Sequence, residues 1–197
     1  MDRGRITENK SRPDRRAGRA IRCCLAACIA LACQGPAFSE EGSISEETLK
    51  VALVYKLTKF VEWPVEITGQ VATFDICAGT GSPMAGPLMA LGDRQTLGRP
   101  IRVRLLETFD DEEDARCDVV YLSDDIVEPR LRQHAADRHT LLIGDRADFA
   151  TGGGDIEIRR AGRRFRFVVN LASVERKQLK IAAPLLQLSE IVGSEGP

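Results

Sequence analysis

Between residues 51 and 64 the chain reads VALVYKLTKFVEWP. Its apolar positions Val51, Val54, Leu57 and Val61 fall three and four apart, with Tyr55, Thr58 and Phe60 widening the stripe. That period predicts an amphipathic helix with one buried face. Ser45 supplies an N-cap, and Glu46 and Glu47 place negative charge in the first turn, where the helix dipole favours it. Pro64 is expected to end the helix, since the residue before a proline is pushed out of the α region.

Downstream the pattern alternates between strand and helix. ATFDICA at residues 72–78 puts Phe74 and Ile76 on one side, and the turn Gly79-Thr80-Gly81 follows. Ser82-Pro83 then reads as a cap with proline at the first helical position, predicting a helix to Leu91. Gly92-Asp93 and Gly98-Arg99-Pro100 are turn chemistry, IRVRLL at 101–106 alternates as a strand, and the acidic run 110–114 reads as a solvated loop. DVVYL at 118–122 and TLLI at 140–143 are apolar throughout, as buried parallel strands are, with a weak polar helix expected at 128–136 between them.

The end of the chain departs from that rhythm. DIEIR (155–159) and RFRFVVN (164–170) alternate apolar with charged residues around a short glycine-containing turn, predicting a hairpin whose wet face carries Arg159, Arg164 and Arg166. From Leu171 onward helical spacing returns, with Pro184 dividing the run or opening a second helix. The fold class expected is α/β: a three-layer sandwich with a mostly parallel central sheet and a C-terminal β-hairpin followed by helices.

Residues 1–39 stand apart from this scheme. A basic stretch between Arg3 and Arg22 precedes the apolar run CCLAACIALAC at 23–33, with small residues at Ala37 and Ser39. Together these make a secretory signal peptide cleaved after Ser39, and an apolar run too short to span a bilayer. An uncleaved anchor is the main alternative, and neither LAAC at 25–28 nor Arg15-Arg16 makes a good lipoprotein or twin-arginine signal. Setting this segment aside removes eight of the 28 basic and three of the 29 acidic side chains, leaving a net charge of −6 over 158 residues. Residues 40–197 then form a single, modestly acidic domain, expected to be soluble, with no footprint for nucleic acid or for an anionic membrane surface and no direct membrane insertion.

Only Cys77 and Cys117 remain after the leader is removed. An oxidising compartment favours a disulfide, the alternative being two separate buried thiols. If residues 77 and 117 lay on adjacent in-register parallel strands, however, they would sit at opposite ends, beyond bridging distance. His134 and His139 have no ligand-like spacing to either cysteine and are expected at the surface, so no metal or cofactor is predicted. Gly79-Thr80-Gly81 lacks the third glycine of a dinucleotide fingerprint, and Gly152-Gly153-Gly154 has no following lysine. No nucleophile-elbow or zinc-protease motif occurs, so no catalytic residue is named. A small-molecule crevice would lie at the carboxyl ends of the strands, lined by Thr80, Ser82, Ser123, Asp124, Asp145 and Arg146.

YKLTKFVEWP at 55–64, Ile76-Cys77, FATGG at 149–153 with Ile156, RFVVN at 166–170 and the closing LKIA and LLQL resemble the YfiR-like family of exported proteins. The signature positions are Tyr55, Phe60, Trp63, Pro64, Gly152, Gly153, Arg166, Phe167 and Asn170. The resemblance implies a periplasmic α/β sandwich that often dimerises. It also implies that the protein restrains an inner-membrane diguanylate cyclase by binding its periplasmic part, lowering cyclic-di-GMP output. It makes Cys77 and Cys117 a disulfide pair, while the second pair near the glycine motif found in some members is missing. A non-enzymatic regulator is therefore the first expectation, and a periplasmic small-molecule sensor or solute-binding module using the strand-end crevice is the alternative. Trp63 and Tyr55 decide part of this: buried rings mean core packing, exposed rings a partner contact.

Overall fold

A computed structural model describes residues 44–64, 72–107, 116–123, 133, 135 and 138–193. The leader, Asp124, His134, the acidic run 110–114 and most of the helix expected at 128–136 lie outside the described residues; Gln133 and Ala135 are helical.

The first helix, α1 (Glu46–Leu57), begins as its sequence dictates: Ser45 Oγ accepts from the Thr48 amide at 3.2 Å. Its buried face is Val51, Val54 and Leu57, and full burial of each such side chain stabilises by about 1.5–3 kcal/mol. The helix stops at Leu57, not near Pro64. Buried Thr58 turns its hydroxyl back to the Tyr55 carbonyl (2.8 Å) and shares a 2.7 Å hydrogen bond with Thr96 Oγ1. The Lys59 and Phe60 amides then bond to Lys56 and Leu57, closing a tight turn. Beyond it Val61 and Trp63, two residues apart, face the core from extended chain, and β1 (Val61–Glu62) pairs antiparallel with β9 (Lys180–Ile181).

The remaining strands are β2 (Phe74–Gly79), β3 (Gln95–Thr96), β4 (Arg99–Leu106), β5 (Val119–Leu122), β6 (Leu141–Gly144), β7 (Ile156–Ala161), β8 (Arg164–Asn170) and β10 (Ser189–Val192). They form one sheet in the order β10-β8-β7-β6-β5-β2-β4-β3. β4, β2, β5, β6 and β7 run parallel, β8 is antiparallel to β7, and β10 is parallel to β8. The short helices are α2 (Ala85–Leu88), extended by a 3₁₀ turn to Leu91, α3 (Leu171–Arg176) and α4 (Ala183–Gln187).

Alternation sorts the sheet's side chains into two layers. Phe74, Ile76, Val119, Tyr121, Leu141 and Ile156 join the cluster that includes α1, Trp63 and Val174. Cys77, Val120, Leu122 and Leu142 form the other with Cys117, Ala135 and Phe149. The central strands are thus apolar on both faces, as parallel strands in a sandwich must be.

Other sequence expectations need correction: α2 starts at Ala85 with Met84 at its N-cap and no side-chain cap, so Ser82-Pro83 does not open it. The turn placed at Gly98-Arg99-Pro100 is really Leu97-Gly98, both with positive φ (50° and 73°), and Arg99 opens β4. Arg99 is held there by Asp118 (3.0 Å), the Thr73 carbonyl (3.2 Å) and the Phe74 ring, 4.8 Å from its guanidinium. After Leu171 the chain is not two helices alone. Leu179 lies outside α3, residues 180–181 and 189–192 are strands, and Pro184 opens α4. Finally, His139 is half-buried rather than a free surface residue, its Nδ1 lying 2.7 Å from the Lys177 carbonyl oxygen.

Candidate functional site

The chain leaves β2 for β4 on one side, then returns past β2 to β5 on the other. The carboxyl ends of β2 and β5 are therefore the topological switch point, where open α/β sheets bind ligands. Ser82 and Ser123 do meet there, their hydroxyls 2.8 Å apart, and Ser82 Oγ also accepts from the Met84 amide at 3.1 Å. Thr80 is exposed, and its amide bonds to the Leu106 carbonyl. Asp145 and Arg146 follow the next strand. Asp145 accepts from Lys50 of α1 at 2.6 Å, and Lys50 also reaches Glu46 at 3.0 Å. Arg146 Nε is buried without a hydrogen-bond partner among the described residues. Two hydroxyls bound to each other and a neutralised carboxylate can hold elements together, but they are not a nucleophile and its base. Among the described residues no group of three His, Cys, Asp or Glu side chains could hold a metal.

The signature residues of the N-terminal motif divide by exposure. Trp63 is 7% exposed, meets the Phe74 ring edge-on at 5.2 Å, and has its indole N–H buried with no hydrogen-bond partner among the described residues. Half-buried Tyr55 donates to the Gln95 carbonyl at 3.0 Å, beneath the Lys59 ammonium 4.4 Å from the ring centre. The tryptophan is therefore a core element, whereas Phe60 is exposed. A cleft of about 770 Å³ opens beside Trp63 and half-buried Pro64, bordered by Glu62, Glu175, Leu179 and Lys180.

The glycine motif is packing chemistry. A Cβ on Gly154 would lie 2.1 Å from the Phe149 ring, and one on Gly144 2.5 Å from the same ring, so the two glycines make the slot that phenylalanine fills. Gly153 takes a positive φ of 106°, while Gly152 is exposed. Asn170 closes this corner: its side chain donates to the Ala150 carbonyl at 2.8 Å and caps α3 through the Ser173 amide at 3.0 Å. Arg166 is exposed on β8, and half-buried Phe167 packs on the α1 side of the core.

Sequence reasoning missed the ionic centre beside this motif. Fully buried Asp155 accepts from Lys177 Nζ (2.5 Å), Ser173 Oγ (2.6 Å) and the Leu142 amide (2.7 Å). One carboxylate thus ties β6, α3 and the lead into β7 together. Burial lowers the Lys177 pKa, and Asp155 opposes that shift. Glu157, also fully buried, accepts from Arg159 at 2.8 Å, and that hydrogen bond raises the arginine's pKa. A third network lies at the amino ends of β2 and β5. Arg102 grips Asp75 with two guanidinium nitrogens, and the Asp75 amide donates to Asp118 at 2.7 Å. Burial raises the Asp118 pKa despite that amide and Arg99. The available signal was an acid inside an otherwise apolar alternation, as in DIEI, which marks a carboxylate needing a buried partner.

Cys77 and Cys117 are bridged, with Cα atoms 5.9 Å apart. Register alone opposes Cys77 to Val120, so the objection from in-register strands is sound as far as it goes. The strands are staggered: β5 begins at Val119 beside Ile76, in the middle of β2, and Cys117 precedes that start outside the sheet. The chain enters the strand through an Asp118 amide bonded to the Asp75 carbonyl, and the bridge lies in the second-face cluster.

Residues 47–190 match the YfiR/HmsC-like family profile, and the chain belongs to that family. A search of curated proteins finds no match. Among solved structures, a conserved domain protein of Vibrio cholerae O1 biovar El Tor is similar at 14% identity with a TM-score of 0.46. Of this chain 75% is covered, and 60% of that one. An ABC domain in complex with L-Trp from Streptococcus pneumonia is similar at 9% identity with a TM-score of 0.46, covering 74% of this chain and 60% of that one. The chain therefore spans about 60% of the length of either.

Proposed function

We propose that this protein is a non-enzymatic periplasmic regulator, exported with a signal peptide cleaved after Ser39. In this reading it restrains a membrane diguanylate cyclase or related membrane signalling protein by binding its periplasmic part, alone or as a homodimer. The observation that carries the reading is the family match over residues 47–190. The state of the strand-end crevice supports a protein partner over a small solute, because Ser82, Ser123 and Asp145 already bond to protein groups. Among the described residues no helix is long and apolar enough to cross a membrane. The test is cellular cyclic-di-GMP with and without this protein: its loss raises the level, and an unchanged level with every candidate cyclase expressed sinks the reading.

A second reading has its own observation, the cleft beside Trp63 and the unpartnered indole N–H. It moves the sensor hypothesis from the strand ends to the β1–β9 side. A small molecule seated there would change the fluorescence of the single tryptophan on titration. A signal that stays flat across candidate ligands would leave the cleft to a protein partner.

A further inference from the structure

Counting charges over the whole chain conceals how unevenly they lie. Five arginines fall within the eight residues RRAGRRFR at 159–166, the tip of the β7–β8 hairpin. Two are engaged: Arg159 with Glu157 and Glu190, Arg160 with Glu46 of α1. Arg163, Arg164 and Arg166 are exposed and have no carboxylate partner among the described residues. Gly162, with φ of +63°, turns the chain tightly enough that Ala161 pairs directly with Arg164, so these cations crowd one projecting end.

Apolar surface sits at the same corner. A cleft of about 190 Å³ between the start of α1 and the hairpin tip brings Ile44 and Leu49 beside Arg163, Arg164 and Phe165. Ile44 is 67% exposed and Leu49 44%. The space is below the roughly 300 Å³ at which small-molecule pockets begin, so the corner is no ligand cavity. Exposed aliphatic side chains flanked by unpaired arginines have instead the composition of a surface that rests in a lipid headgroup layer.

We infer that the α1–hairpin corner docks reversibly on an anionic phospholipid surface, the arginines meeting headgroup phosphates and Ile44 and Leu49 reaching the headgroup–acyl boundary. The contact does not depend on the cyclase reading. It would hold the acidic remainder of the domain in one orientation toward whatever the membrane carries.

The test uses the protein recovered from the periplasm of an export host. It is sedimented with phosphatidylethanolamine vesicles, with and without phosphatidylglycerol. The recovered protein is first shown by mass to begin at Glu40, because a retained basic leader would itself favour phosphatidylglycerol; phosphatidylglycerol dependence is then the readout. Wild type is expected to sediment with the anionic vesicles only, and to be released at 1 M salt, where the screening length falls to about 3 Å. Arg163→Gln/Arg164→Gln/Arg166→Gln should weaken binding about a hundredfold, and Ile44→Ser/Leu49→Ser should weaken it with the charge intact. Unchanged thermal midpoints show that both variants are folded. Binding that ignores phosphatidylglycerol, or that the triple glutamine variant keeps, overturns the proposal. So does a wild type that binds no vesicle; if the triple variant then also loses control of cyclic-di-GMP, the corner belongs to an acidic protein partner.

Discussion

The two ends of the β7–β8 hairpin carry similar side chains in opposite circumstances. At its base every charge has a fixed partner: Asp155 holds Lys177, Glu157 holds Arg159, and all but the last are buried. At its tip Arg163 and Arg164 project with no carboxylate partner among the described residues. A buried ion pair stabilises little compared with well-packed apolar residues, but removing one partner strands the other, so such pairs are costly to alter. Exposed arginines at a turn cost the fold almost nothing either way. The hairpin teaches that charge density does not distinguish structure from function, whereas charge satisfaction does.

The strongest way to break the contrast is at the base. Asp155→Ala leaves the Lys177 ammonium buried and unpaired, and should cost about 3 to 5 kcal/mol in urea unfolding. Replacing both partners while keeping an acceptor for Ser173 and the Leu142 amide, Asp155→Asn with Lys177→Met, should recover most of that loss; equal damage from the double change would mean the pair is not what matters. Next is Gly154→Ala, which drives a methyl group into the Phe149 ring and should cost about 1 to 3 kcal/mol. A neutral result would show that the ring can swing aside.

A smaller effect calibrates burial away from the hairpin. Because burial raises the Asp118 pKa, the native state holds that proton more tightly than the unfolded chain does. Between the unfolded value of about 3.9 and the raised folded value, this group's contribution falls as pH rises. The stability of wild type relative to Asp118→Asn should therefore increase on acidification through that window; a flat or narrowing difference contradicts the assignment. Smallest of all, Arg163→Gln with Arg164→Gln should move stability by no more than about 0.5 kcal/mol in either direction. A larger loss would mean that the tip, like the base, is structural.

What could be read from sequence was local. The Ser45 cap, the apolar strands β5 and β6, and the hairpin with its arginines all depend on residues within a few positions of one another. Three things were not legible, each for want of a distant partner. Helix α1 stops early because Thr58 meets Thr96, 38 residues away. The two-residue strands β1 and β9 exist only through each other, and β10 only through β8. The crevice residues were chosen as strand-end polar groups, and only the structure shows Ser82 bound to Ser123, 41 residues on, and Asp145 bound to Lys50, 95 residues back.

The clasp between β1 and β9 sets an order of events as the chain folds. Val61 pairs with Ile181 and Glu62 with Lys180, and the Ala182 amide reaches the Phe60 carbonyl at 2.8 Å. The tryptophan motif near the beginning thus acquires this neighbour only when almost the whole chain is available, and closing so long a loop is slow. A chain ending before Lys180 would keep helix α1 and the central strands but leave Trp63 without that lid. A red-shifted indole emission would then report on synthesis left unfinished more than a hundred residues away.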